Sequence, residues 1–426
     1  MNKDINIIYV EKANDFIGFN IDKNGVAVYV PHSFRKDDKY KSDLIALLKS
    51  ISLAKTKEIE KNKKGSDKSN SIWPVESYLW IVRDYLENGF YYNREKTYSN
   101  SNSGKIDWRK TLKQVPIFSN GNIIYDKLIT SRMAATNDLV AEIYKLCLKH
   151  SVAKIGWLYN FDFHIEAQQL VSVTEMVSII KKELDNTFDD IRRMRFNHML
   201  KILNTSEGTK VDSNTYTYGI ENYYYVFETM VDMLFDGLDE KKKRQYNPNG
   251  YWRLNNQDET KASSLRPDTI LKRDGKTYIL DSKMYQFGVT HKIEDLPETQ
   301  SLQKQITYGD YVSKIDKTDK VRNAFILPYD KKKEFNDNID VIRYSDGDLA
   351  YIGEAHVDWR NDKSKTDYDN IYAYLIDFNY LLRNYKRADY QIIDELCQSI
   401  ENKINSKNED ESIWWFIFLY RQNYLP

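Results

Sequence analysis

Apolar residues follow strand periods at the start of the chain and a helical period soon after. From Ile5 to Val10 the run is apolar apart from Asn6, which predicts a largely buried strand. A second run, Val-Ala-Val-Tyr-Val-Pro at 26–31, follows Asn24-Gly25, a dipeptide suited to a tight hairpin turn. Residues 43–60 place Leu44, Leu47, Leu48, Ile51 and Leu53 at helical spacing. Residues 58–71 carry almost no apolar side chain and read as a solvated loop or flexible linker.

The pattern resumes with an amphipathic helix over 75–87, stopped by Asn88 and Gly89. Strand-like text follows at 90–98 and 104–112. Thr136 or Asn137 caps a helix running to about His150, and a further helix is expected near 187–203. Residues 205–219 read as a boundary or long loop. Beyond it come a helix over 222–238, a polar connection at 241–250, and two β-rich runs joined by Asp274-Gly275, again a hairpin signal. A helix near 298–314, a buried strand at 321–329, sheet-like text at 341–359 and helices near 368–383 and 390–405 complete the chain. The organisation expected is mixed α/β: a strand-helix segment at 1–70, an α+β region at 72–210 and an α/β domain at 220–426.

Composition narrows the class. A chain of 426 residues with 41% hydrophobic content builds more than one core. No apolar run reaches the length of a membrane span, and the start lacks the basic-then-apolar layout of a secretory signal. Cys147 and Cys397 stand far apart, which excludes a disulfide framework or a CxxC zinc site and fits a reducing cytoplasm. Basic and acidic residues balance at 63 each, so any nucleic-acid contact is confined to a local groove. The 33 tyrosines are read first as ordinary core and surface residues.

The second hairpin carries the candidate chemistry. Hydrolysing a phosphodiester at neutral pH requires an activated water and stabilisation of added negative charge on phosphorus. A divalent cation held by carboxylates supplies both, and magnesium takes few carboxylates with water and phosphate oxygens in the remaining positions. A lysine beside it orients the water and offsets charge. Arg266-Pro267-Asp268 opens the first strand, where proline is tolerated. Asp281 and Lys283, two apart on the second strand, project to one face, while Ser282 points the other way. The Asp274-Gly275 turn folds Asp268 back alongside Asp281.

Pro267-Asp268, twelve intervening residues and then Asp281-Ser282-Lys283 resemble the signature of the PD-(D/E)xK nuclease superfamily. The preceding helix carries Phe227-Glu228, similar to the first-helix acid of that superfamily. The following helix carries Gln305-Ile306-Thr307-Tyr308, similar to the Gln-and-Tyr helix of its RecB-like and McrC-like branches, with a shorter gap than the QxxxY form. Residues 76–112 resemble the LlaJI family of restriction endonucleases, relatives of McrC.

The resemblance implies a PD-(D/E)xK restriction-endonuclease-like core with a separate α+β N-terminal region. It implies a Mg2+-dependent endonuclease subunit acting on double-stranded DNA beside a McrB-like AAA+ GTPase, with no membrane association. Asp268, Asp281 and Glu228 would hold the metal, Lys283 would orient water, and Gln305 and Tyr308 would contact substrate. The alternatives are a self-sufficient type II restriction enzyme and a non-catalytic adaptor regulating the GTPase. Gly275-Lys276-Thr277 resembles the end of a P-loop, but Ile270 stands where its first glycine belongs, so the motor would be another subunit. The run Lys241–Arg244 reads as a solvated face rather than a grip on DNA. Trp108 reads as buried between surface charges, and the six scattered histidines receive no role.

Overall fold

The computed structural model describes residues 5–12, 15–22, 25–54, 74–100, 105–136, 139–208, 216–335, 339–360 and 366–424. The linker read at 58–71 lies outside them, as do Asn24, Asn137 and much of the boundary read at 205–219. The chain divides into two units: residues 68–216 with the first three, and residues 4–67 joined to 217–426. The opening segment therefore belongs with the C-terminal half of the chain.

In that discontinuous unit β1 (Ile5–Val10), β2 (Ile17–Ile21) and β3 (Val26–Pro31) come first. β2 and β3 form the expected antiparallel hairpin, and β1 pairs parallel to β3. β1 is an edge strand and only half buried, because a sheet edge leaves one flank in water. The helix Tyr40–Ser50 follows, burying Leu44, Leu47 and Leu48.

The 68–216 unit opens with the helix Val75–Asn88, ended at Gly89 with φ 75°, as its sequence predicts. Next come β4 (Asn93–Asn100), β5 (Lys105–Ile106), β6 (Ile117–Ser119), β7 (Asn122–Ile124) and β8 (Ile129–Thr136). β8 lies between β4 and β5, while β6 and β7 form a separate hairpin. Trp108, expected to be buried, starts a one-turn helix capped by Asp107 and is 56% exposed. The helices Leu139–Ile155, Val173–Asn186 and Asp190–Gly208 complete the unit; the last is the helix expected near 187–203, and Val173–Asn186 is an additional one. Its interior holds a buried polar node: Arg195 donates to both oxygens of Asp84 at 2.7 and 2.8 Å, and the Tyr144 hydroxyl adds a third bond at 3.1 Å.

Returning to the first unit, β9 (Tyr216–Ile220) adds to the N-terminal sheet in the order β1-β3-β2-β9. Glycine is required at Gly18, where a Cβ would lie 2.1 Å from the Tyr218 carbonyl oxygen. The helix Tyr224–Leu234 and two short strands, β10 (Tyr251–Trp252) and β11 (Thr260–Lys261), lead to the main sheet.

That sheet contains β12 (Thr269–Arg273), β13 (Lys276–Ser282), β14 (Val321–Tyr329), β15 (Ile342–Tyr344), β16 (Leu349–Ala355) and β17 (Ile371–Asp377). Its order is β12-β13-β14-β17-β16-β15. β12 and β13 are the expected hairpin, with Asp274 and Gly275 both at positive φ, 50° and 71°. β13, β14 and β17 run parallel, and β16 and β15 finish the sheet antiparallel. The crossover from β13 to β14 is the helix Thr299–Asp316, which packs Tyr308 and Val312 with Ile270, Ile279 and Val321. The helix Tyr390–Tyr424 begins with Ile392, Ile393, Leu396 and Ile400 buried. Two of its polar residues, Ser399 and Glu401, accept hydrogen bonds from Tyr374 and Tyr278 of the sheet.

The helix expected near 368–383 is corrected to strand β17 followed by the short helix Phe378–Asn384. Six of the seven β17 residues carry side chains that are essentially buried, so the text is a continuous apolar run without a two-residue alternation, and strand and helix look alike. The boundary is set by Asp377, whose carboxylate accepts the Tyr380 N–H at 2.8 Å as a helix cap. The molecule is thus mixed α/β, as its pattern predicts. Among the described residues no helix is long and apolar enough to cross a membrane.

Candidate active site

The β12–β13 register pairs Thr269 with Leu280, so the residues flanking that pair, Asp268 and Asp281, fall side by side. A main-chain bond fixes this: the Ser282 N–H donates to a carboxylate oxygen of Asp268 at 2.9 Å. Asp281 is 2% exposed, and one of its oxygens forms an ion pair with the Lys283 ammonium. Its other oxygen, Oδ1, is buried without a hydrogen-bond donor, its neighbour being the Lys304 ammonium at 3.8 Å. Lys283 sits just past the end of β13, its own N–H donating to the Ile326 carbonyl of β14 at 2.9 Å.

The electrostatics bind these groups into one cluster. Burial, then the charges of Asp281 and Glu228, push the Asp268 carboxyl well above the ordinary carboxylate range; Lys283 and the Ser282 N–H only partly oppose this. Glu228, from the helix Tyr224–Leu234, is therefore part of the same field. Burial disfavours the Lys283 charge, but Asp281 and Asp268 outweigh it and hold the ammonium above the usual lysine range. The field thus favours the charge on Lys283 and disfavours that on Asp268.

Gln305 and Tyr308 do not present themselves to solvent. Both are fully buried. The Gln305 amide donates to the Ile279 carbonyl of β13 at 2.8 Å and to Asn323 at 3.3 Å. The Tyr308 hydroxyl donates to the Arg266 carbonyl at 2.8 Å. These bonds brace the two strands that carry Asp268 and Asp281. Their spacing at i and i+3 on the crossover helix turns both toward the sheet.

Lys243 and Lys304 were not singled out by the sequence. Lys243 belongs to a charge run that reads as solvated, yet it is 5% exposed; its ammonium donates to both oxygens of Asp232 and to the Asp268 carbonyl, each at 2.9 Å. The neighbouring Lys241, Lys242 and Arg244 are exposed, as expected of the run. Only the three-dimensional path separates Lys243 from them. Lys304 had a visible signal, since it directly precedes Gln305 and lies one helical turn before Tyr308.

Among the described residues no three acidic, histidine or cysteine side chains form a ready-made cation cage. Asp268, Asp281 and Glu228 share one field without closing a coordination shell, and Lys283 is ion-paired to Asp281 beside them.

A family model for the LlaJI restriction endonucleases matches residues 29–353. The chain belongs to that family. The matched span contains Glu228, Lys243, Asp268, Asp281, Lys283, Lys304, Gln305 and Tyr308. The LlaJI-family chain is 26% identical over 262 residues to the type II restriction enzyme BsuMI component YdjA of Bacillus subtilis (strain 168). That match covers 56% of this chain and 55% of the relative, about half its length. Among solved structures, an assembly of Thermococcus gammatolerans McrB AAA+ hexamers with bound McrC aligns over 87% of this chain and 81% of that one. The identity is 11% and the TM-score 0.35. The McrBC complex of the same organism aligns over 50% of this chain and 63% of that one, at 10% identity and a TM-score of 0.20. Likenesses this distant add nothing to the site.

Proposed function

We propose that this LlaJI-family chain is the nuclease subunit of a restriction system. It hydrolyses phosphodiester bonds in double-stranded DNA with magnesium and works with a McrB-like AAA+ GTPase. The meeting of Asp268, Asp281 and Lys283 at the exit of β13 carries this reading. The hairpin, crossover helix and parallel third strand around them are read as a PD-(D/E)xK core. The GTPase partner rests on the McrC-like motif series and on the lack of a P-loop in this sequence.

The donor set suits a divalent cation. Asp281 offers a buried carboxylate oxygen without a hydrogen bond, and Asp268 is a carboxyl whose charge its neighbours oppose. Magnesium takes few protein carboxylates, so a closed three-ligand cage is not required. Asp268 and Asp281, with the Ser282 carbonyl, would hold it, and Glu228 would assist. When bound, the ion supplies Lewis acidity and a more acidic water. Lys283, kept charged by the two aspartates, orients the attacking water and offsets negative charge gathering on the phosphate. Gln305, Tyr308 and Lys243 keep the strand ends in place.

Plasmid cleavage with magnesium, with and without a McrB-like GTPase, tests the reading. Lys283→Ala is expected to abolish cleavage with the fold and partner binding intact. Normal cutting by that variant removes the mechanism. Robust site-specific cutting by the chain alone makes it a self-sufficient type II enzyme. DNA retention without cleavage under every condition makes it an adaptor.

A further inference from the structure

Two ammoniums meet one carboxylate in this site, and they are not equivalent. Lys283 is committed: its side chain is 16% exposed and paired to Asp281 through one oxygen. Lys304 approaches the other oxygen of Asp281 at 3.8 Å, beyond hydrogen-bond reach, and its side chain is 37% exposed. The ammonium lies over the Tyr308 ring, 5.4 Å from its centre. Tyr308 is itself fixed to the Arg266 carbonyl, so the ring that the Lys304 ammonium faces is held in place while that side chain stays partly open to water.

A DNA phosphate nearing this site meets three carboxylates, and their repulsion must be overcome before Lys283 can act. The charge placed to meet the phosphate first is the more exposed lysine on the rim. We propose that Lys304 is a further catalytic residue, which binds a non-bridging oxygen of the scissile phosphate and draws it onto the Asp268–Asp281–Lys283 cluster. The role rests on the nuclease reading above. It gives the crossover helix a direct part in substrate binding, distinct from the positioning done by Gln305 and Tyr308.

The full chain carrying Lys304→Gln or Lys304→Arg is assayed with magnesium, and with the GTPase if wild-type cleavage requires it. Lys304→Gln is expected to lower the cleavage rate at saturating DNA at least tenfold with an unchanged melting temperature, and Lys304→Arg to recover much of it. DNA affinity against salt is measured in a Lys283→Ala background, where DNA stays intact. Adding Lys304→Gln should make the slope of log K against log salt shallower by about 0.9, the loss of one phosphate contact. Lys304→Gln cutting within twofold of a cleaving wild type, or an unchanged salt slope, overturns the assignment alone. A wild type that never cleaves removes the nuclease reading and this role with it.

Discussion

The buried ammonium of Lys243 donates a 2.9 Å hydrogen bond to the main-chain carbonyl of Asp268. The same nitrogen satisfies both carboxylate oxygens of Asp232, one turn along the helix from Glu228. A single cation thus ties the Tyr224–Leu234 helix to the strand that starts with the proposed metal ligand. Two acidic residues on one helix face have divided their work, Glu228 toward the site and Asp232 toward its support.

Removing that cation should cost both stability and activity. Lys243→Met leaves Asp232 uncompensated, and a loss of about 3 kcal/mol is expected in urea melts. Adding Asp232→Leu should recover most of the stability and little of the cleavage, since the Asp268 carbonyl stays untethered. Additive losses in that double-mutant cycle would show that the two residues do not act as a pair.

Asp268 should be a site where function opposes stability. Its carboxyl titrates well above the ordinary range because burial and two carboxylates disfavour its charge. The folded chain therefore binds this proton more tightly than the unfolded one. The associated stability is present at low pH and is lost as pH rises through the folded-state pKa. Asp268→Asn, which still accepts the Ser282 N–H, should melt higher at pH 8 by roughly 2–4 °C, with a smaller gain at pH 5. It should abolish cleavage. Magnesium should raise the melting temperature of the wild type and leave that of Asp268→Asn nearly unmoved; equal shifts in both would place the ion elsewhere.

A second pH effect belongs to the 68–216 unit. His198 stacks on Trp80 with ring centres 4.8 Å apart and bonds Ser77 at 3.0 Å. Burial, then Lys201, lower its pKa, with Glu76 opposing. The folded state holds this proton less tightly, so stability is present above the unfolded value near 6.5 and is lost as pH falls below it. Melting of the wild type at pH 7.5 and 5.5 should show this loss, and His198→Phe, which keeps the stacking, should reduce it. An identical acid dependence in both chains would assign it to other groups.

The parts of the fold that could be read from sequence were those whose local signal agreed with their final environment. Asp274-Gly275 demands left-handed backbone and receives it, which is why the Asp268–Asp281 juxtaposition was foreseeable. The helix Val173–Asn186 escaped because only Met176 and Ile180 are buried, leaving little apolar periodicity. Its capping box, Ser172 with Glu175, was nonetheless written in the text. β17 was misread because burial on both faces erases alternation. Lys243 was illegible for another reason: its partner Asp232 is eleven residues away and the Asp268 carbonyl twenty-five. The spacing of Gln305 and Tyr308 puts both on the sheet-facing side of the crossover helix, but the backbone carbonyls they bond, Ile279 and Arg266, are not legible from spacing.

Arg35, in the opening segment, is ion-paired to Asp330 and Asp377 at the ends of β14 and β17. Its three partners, Asp37 included, span more than three hundred positions of the chain. During synthesis, then, the sheet bearing Asp281 cannot be pinned until the ribosome has passed residue 377, long after the intervening unit has emerged. The 68–216 unit is thus encoded between two pieces of the other unit that the Arg35 ion pairs join across the sequence.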